Sequence, residues 1–198
     1  MNDMGKGMPV VALVSSSGGL DALTRVLQPL PSGFPAAIIG LQHQMPDHPS
    51  ALADILDRRC ALKVRVAAAG VTVEPSAVYI APPGKHVLLT VERKLALIVS
   101  GAYPPNRPSA DLLLVSLALT CGPRAVAVVL SGKGNDGATG ATAVHDFGGV
   151  VIAANQASSK EFSMPEATIG RDDAVDHVLH VDRIAGVLAT IVGSMARG

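Results

Sequence analysis

Apolar residues along this chain come in short blocks whose period switches between that of a strand and that of a helix. Residues 9–14, 36–41 and 125–130 are nearly unbroken apolar runs, the length and pattern of strands buried on both faces. Leu20, Leu23, Leu27 and Leu30 repeat at helical spacing after the first run. Residues 49–59 predict a second helix with Pro49 in its first turn. Residues 63–68 alternate and predict a strand. Residues 78–80, 86–91 and 95–99 follow in quick succession, separated by Pro82-Pro83-Gly84 and Glu92-Arg93-Lys94. Turns that short predict antiparallel neighbours, so a hairpin or meander interrupts the alternation. Past a Pro-rich loop at residues 103–108, Ser109 is placed to cap a helix reaching Cys121, with Gly122 just beyond its end. Strand 125–130, helix 138–147, strand 150–154, a short helix 165–170, strand 178–181 and a final helix capped by Asp182 complete the series.

The pattern predicts an α/β fold, a doubly wound and mostly parallel sheet sandwiched by helices, with an antiparallel hairpin. Neither a repeat nor a linker divides the 198 residues, so one domain over residues 1–198 is expected. Composition agrees: 48% of residues are apolar but only 3% aromatic, so Val, Leu, Ile and Ala must build the core. Lys plus Arg equals Asp plus Glu at 16 each, which leaves no footprint for nucleic acid or an anionic membrane. No run approaches the about 18 apolar residues of a membrane span, and the run at 9–14 is too short for a signal-peptide core. A cytoplasmic protein without membrane insertion is expected. Cys60 and Cys121 lack metal or redox spacing and read as structural thiols.

Three segments then change the picture. Val14-Ser15-Ser16-Ser17-Gly18-Gly19, Gln42-His43-Gln44-Met45-Pro46 and Ser131-Gly132-Lys133-Gly134-Asn135-Asp136-Gly137 each follow a predicted parallel strand. Parallel strands deliver their carboxyl ends to one edge of an open sheet, where ligand sites form. A serine, a histidine and an aspartate thus share one rim, the inventory of an activated serine nucleophile. Each segment alone has a plainer reading. The serine string serves equally as a helix-capping turn or a phosphate cradle, and a lone loop histidine is commonly just exposed. Gly132, Gly134 and Gly137 also match the Gly-x-Gly-x-x-Gly string of dinucleotide sites. Against that reading, Asn155 and Gln156 stand where its ribose-binding acid is expected. His48 and His43 are off the spacing of a helical metal pair, so neither metal nor cofactor is expected.

Six segments in order resemble the catalytic domain of the CheB-type chemotaxis protein-glutamate methylesterases, over nearly the whole chain. They are Ser16-Ser17-Gly18-Gly19, Gln42-His43-Gln44-Met45, the stretch from Tyr79 through Ala81-Pro82-Pro83-Gly84 to His86, Arg107-Pro108-Ser109-Ala110-Asp111, Ser131 to Gly137, and Met164-Pro165. The resemblance implies Ser16 as nucleophile, His43 as general base and Asp136 as its orienting acid. An oxyanion hole is expected from backbone N–H groups, those of Ser17 and Lys133. The implied reaction is hydrolysis of γ-glutamyl methyl esters on the cytoplasmic helices of chemoreceptors, with deamidation of receptor glutamines as a second activity.

Three positions depart from the family pattern: Ser17 stands for its Thr, Leu20 for its Pro and Lys133 for its Met. Family members usually carry an amino-terminal receiver domain, and only eight residues precede the first run here. Activity without phosphorylation is therefore expected, with control from a separate regulatory protein or from receptor tethering. Two competing readings stay open on the sequence: a nucleotide- or phosphate-binding module, and a non-catalytic relative that binds receptor or partner helices.

Overall fold

Val10–Ser15 forms a strand, β1, whose alternate side chains feed two separate cores. Val10, Ala12 and Val14 face one side of the sheet, Val11 and Leu13 the other, and all are fully buried. Period-2 alternation between two covered faces is why the run reads as continuously apolar. The computed structural model describes residues 7–46, 48–100 and 106–197. Residues 1–6 of the amino-terminal segment and 103–105 of the expected Pro-rich loop lie outside the described residues.

After β1 come α1 (Gly19–Leu27), β2 (Ala37–Gln42), α2 (Leu52–Asp57), β3 (Lys63–Val66), β4 (Ala77–Ile80), β5 (His86–Leu89) and β6 (Leu95–Ile98). They are followed by α3 (Ala110–Cys121), β7 (Ala125–Val129), α4 (Ala138–Asp146), β8 (Val150–Ala154), α5 (Ser163–Ile169), β9 (His177–Leu179) and α6 (Val181–Arg197). Among the described residues, seven strands form one parallel sheet in the order β3-β4-β2-β1-β7-β8-β9. β5 and β6 pair antiparallel as a separate hairpin. α1, α2 and α6 supply the core on one face, α3 and α4 that on the other. α3 packs against β1, α4 and β5 of the hairpin, and Leu113, Leu114, Leu117 and Ala118 are fully enclosed there while Leu119 stays exposed.

The doubly wound fold with a hairpin is as expected, with differences in detail; β9, for one, is His177–Leu179, and Val181 already opens α6 where a strand through residue 181 was expected. Residues 78–80 were expected beside the hairpin as part of an antiparallel succession, yet β4 runs parallel between β2 and β3. Ala81 N–H makes one last bond to Gly40 O, and Pro82, which has no N–H, ends the ladder there. The chain then crosses to the α3 face before it pairs with itself. α2 covers Leu52–Asp57 rather than residues 49–59, with Ser50 Oγ accepting from the Leu52 N–H. α1 stops at Leu27, and Leu30 joins the core from the following turn. Asp182 lies inside the first turn of α6 rather than at its cap, because its carboxylate takes two 2.7 Å hydrogen bonds from Arg25 of α1.

Burial pushes the Cys121 thiol, fully enclosed at the end of α3, up to about 11, and burial likewise raises that of Cys60. No helix among the described residues is long and apolar enough to cross a membrane. The chain proceeds from β1 toward β2 and β4, and later from β7 toward β8 and β9. The order of strands therefore reverses between β1 and β7, and the carboxyl-end crevice at such a switch point is where α/β sheets place ligands.

Candidate active site

Three loops meet at that crevice, tied by backbone hydrogen bonds. Ser16 N–H donates to Ser131 O and His43 N–H to Ser15 O, each at 3.0 Å, so the loops after β1, β2 and β7 are fixed to one another. Gly18 and Gly137 make the sharp turns into α1 and α4 with φ of 84° and 102°, a region that disfavours any residue with a Cβ. Gly132 packs against the serine loop: a Cβ there would meet Ser16 Cβ at 2.8 Å and would also strike Met164.

The three adjacent serines separate by environment. Ser15 is fully buried and donates to Leu41 O at 3.1 Å. Ser17 is exposed, and its carbonyl accepts from Ser131 Oγ. Ser16 is half-buried, and its hydroxyl makes no hydrogen bond to another described residue. Ser16 and His43 line one open cleft of about 630 Å³, together with Ser17, Gly18, Gln42, Arg59 and Lys160.

His43 Nε2 lies 2.8 Å from Asp136 Oδ2. An ionised carboxylate only accepts, so Nε2–H is the donor, and in the neutral form of the ring Nδ1 is then the acceptor. Four hydrogen bonds converge on Asp136: from His43, from the Ala110 and Asp111 N–H groups at 2.7 and 2.9 Å, and from Ser109 Oγ at 3.1 Å. Burial works to raise this carboxyl, but the His43 bond and the two N–H donors outweigh it and hold it below its ordinary value. The amino terminus of α3 thus receives the aspartate as a helix end receives any anion.

Asp111 returns the arrangement. Its Oδ1 accepts from the Gly137 and Gly140 N–H groups at the start of α4. Burial raises its carboxyl, against those two donors. Behind them, His86 is fully buried: Nδ1 accepts from the Ser109 N–H at 3.1 Å, and Nε2 lies 2.8 Å from Ser100 Oγ. Desolvation lowers its pKa, opposed by Asp136 and reinforced by Arg107. From the sequence, Ser109 is read as a cap, and Asp111 and His86 only as parts of quoted segments. Their common task is to hold Asp136, and the signal for it is the pairing of an Asp-Gly turn with a Ser-x-Asp helix start. Arg59 and Lys160 are singled out by neither motif nor spacing.

Of the residues named for the oxyanion hole, Lys133 pairs with Glu161 at 3.5 Å through an exposed ammonium. The Ser17 and Lys133 N–H groups find no acceptor among the described residues. No cluster of three His, Cys, Asp or Glu side chains suited to a metal ion occurs among the described residues. Gly134 and Gly137 of the Gly-x-Gly-x-x-Gly string have left-handed φ, and the turn they form presents Asp136 to His43.

Fold and side chains together define a doubly wound α/β domain with a hydroxyl, an imidazole and a buried carboxylate at its switch point. The chain belongs to the CheB methylesterase family, whose model matches residues 11–188. It is 39% identical over 180 residues to the protein-glutamate methylesterase FrzG of Myxococcus xanthus, covering 91% of this chain and 54% of that protein. It is also 39% identical over 191 residues to a protein-glutamate methylesterase/protein-glutamine glutaminase of Moorella thermoacetica, covering 94% and 45%. The crystal structure of the Thermotoga maritima CheB methylesterase catalytic domain superposes with a TM-score of 0.89 at 34% identity, over 94% of this chain and all of that one. The chain spans about half the length of the curated relatives it matches. These likenesses favour the esterase reading over a nucleotide site.

Proposed function

We propose that this chain is one catalytic domain, a carboxylic ester hydrolase that removes methyl groups from glutamate side chains of chemoreceptor cytoplasmic helices. It acts in the cytoplasm, without nucleotide or metal. Ser16 Oγ attacks the ester carbonyl while His43 Nδ1 takes its proton, and Asp136 stabilises the imidazolium that forms. The Ser17 and Lys133 N–H groups receive the oxyanion. Collapse of the adduct breaks the C–OCH₃ bond, and the His43 proton leaves with methanol. Water then hydrolyses the γ-glutamyl ester of Ser16 by the same proton relay, restoring the serine. With a glutamine substrate the same steps release ammonia, the second activity printed in the name of the Moorella relative.

One observation carries this reading within the family: Asp136 claims Nε2 of His43, which leaves Nδ1 to serve as the base, and His43 lines the same cleft as Ser16, whose hydroxyl is unbonded. The test is incubation with a methylated chemoreceptor cytoplasmic fragment, with released methanol as the readout. Methanol at a rate proportional to enzyme supports the proposal, and none above the uncatalysed rate overturns it.

A further inference from the structure

Two cations line the cleft that holds Ser16 and His43, and the ester chemistry gives neither of them a task. Arg59 follows the end of α2, and Lys160 sits in the loop before α5; both are exposed and line the cleft. Lys160 packs over the serine loop, its Cβ 2.8 Å from the place a Cβ on Gly18 would take. Neither cation forms an ion pair with a described residue. Among the described residues the one carboxylate on the same lining, Asp21, stands 3.6 Å from Arg25, and nearby Glu161 is 3.5 Å from Lys133. The cleft therefore offers positive charge that the described carboxylates on its lining do not neutralise.

A glutamate methyl ester is neutral, so these charges cannot recognise the group that reacts. They face what surrounds it. On a helix the neighbours three and four residues away lie about 5–6 Å from the ester-bearing residue, within reach of side chains on the cleft wall. We infer that Arg59 and Lys160 are specificity-determining residues that select an ester flanked by free carboxylates, that is, a modified glutamate within an acidic helix face. This rests on the esterase reading above and adds the character of the segment it accepts. Flanking glutamates that have already lost their methyl groups would favour the next event nearby.

The test uses two labelled helical peptides, each with one glutamate γ-methyl ester, flanked at three and four residues either by Glu or by Gln. Binding is read by fluorescence anisotropy on Ser16→Ala protein, and kcat/KM by methanol release on the unmodified chain. The Glu-flanked peptide should be preferred roughly 3- to 10-fold at low salt, the scale of two partly exposed ion pairs. The preference should fade in 1 M salt, where the screening length shrinks to about 3 Å. Arg59→Gln with Lys160→Gln should bring the ratio close to one. Lys63→Gln, an exposed cation at the start of the edge strand β3 and outside the cleft lining, should leave it unchanged. Equal binding of the two peptides, or a preference that survives the double substitution, overturns the inference. Charge selection in binding to Ser16→Ala protein, with no methanol released from any ester by the unmodified chain, would overturn the esterase reading and uphold the selection.

Discussion

Asp136 shows how much one carboxylate does here. It orients His43 and also closes the amino terminus of α3 through two N–H groups and a hydroxyl. Asp136→Asn should therefore fail twice. An amide cannot accept on every side, so a buried donor loses its partner, a loss of roughly 1–3 kcal/mol in urea unfolding. Turnover should fall by roughly 10³ to 10⁴, because Nε2–H loses its acceptor and the tautomer that serves Ser16 is no longer favoured. Unchanged kcat in a folded Asp136→Asn protein would contradict the assigned role. Lys133→Met should keep hydrolysis within a few-fold, because any residue but proline supplies the backbone N–H. A collapse of kcat for every ester would assign the stabilising charge to the ammonium instead. The sequence places Ser16, His43 and Asp136 on one rim, and the cleft brings Ser16 and His43 together with Asp136 bonded behind. Placement after β1 does not by itself separate Ser16 from Ser15 and Ser17; the family resemblance points to Ser16, and burial and hydrogen bonding set it apart from its neighbours. Nor does the sequence reveal His86 and Ser109 as the backing of Asp136, because their partners are distant in sequence.

At the level of elements, the site depends on how closely α3 and α4 approach. Gly140 permits it: a Cβ there would lie 2.5 Å from Leu114 Cβ and 3.0 Å from Asp111 O. Gly140→Ala should cost about 1–3 kcal/mol by overpacking, measured as a shift in unfolding midpoint. It should also weaken the Asp111 bonds that seat the aspartate loop, so kcat should fall as well. Wild-type stability with Ala at this position would mean the helices are free to separate. The parallel strands are legible from their apolar runs because both faces are covered, and the hairpin is legible from its short Glu92-Arg93-Lys94 turn. The partner of β4 is not. Four buried residues, Ala77–Ile80, look the same in an antiparallel succession as in a parallel sheet, and only Pro82 hints that pairing stops. The Asp182 cap fails for a similar reason, since Arg25 is 157 positions away in sequence and offers the stronger, charge-assisted partner.

For the molecule as a whole, the buried His86 couples the site to pH. Unfolded, it takes up a proton as pH falls through its ordinary value of 6.5, whereas the folded residue, desolvated, resists until lower pH. The unfolded state thus binds more protons in that window, and stability present above 6.5 is lost as pH falls toward the lower folded value. Asp136 adds a second loss in stronger acid, below its ordinary 3.8, because its folded pKa is depressed. Urea unfolding should accordingly show lower stability at pH 5.5 than at pH 7.5, and His86→Asn should flatten that part of the curve. Parallel curves for the two proteins would remove His86 as the cause. The central claim is that Ser16, His43 and Asp136 work as one unit at the β1–β7 switch point. The most direct measurement compares single-turnover methanol release from a methylated receptor fragment by wild type, Ser16→Ala, His43→Ala and Ser16→Ala/His43→Ala. Each single variant should lose roughly 10⁴ to 10⁶ in rate, with the double variant no worse than either. Near-normal release by Ser16→Ala, or losses in the two single variants that multiply in the double, would contradict the account.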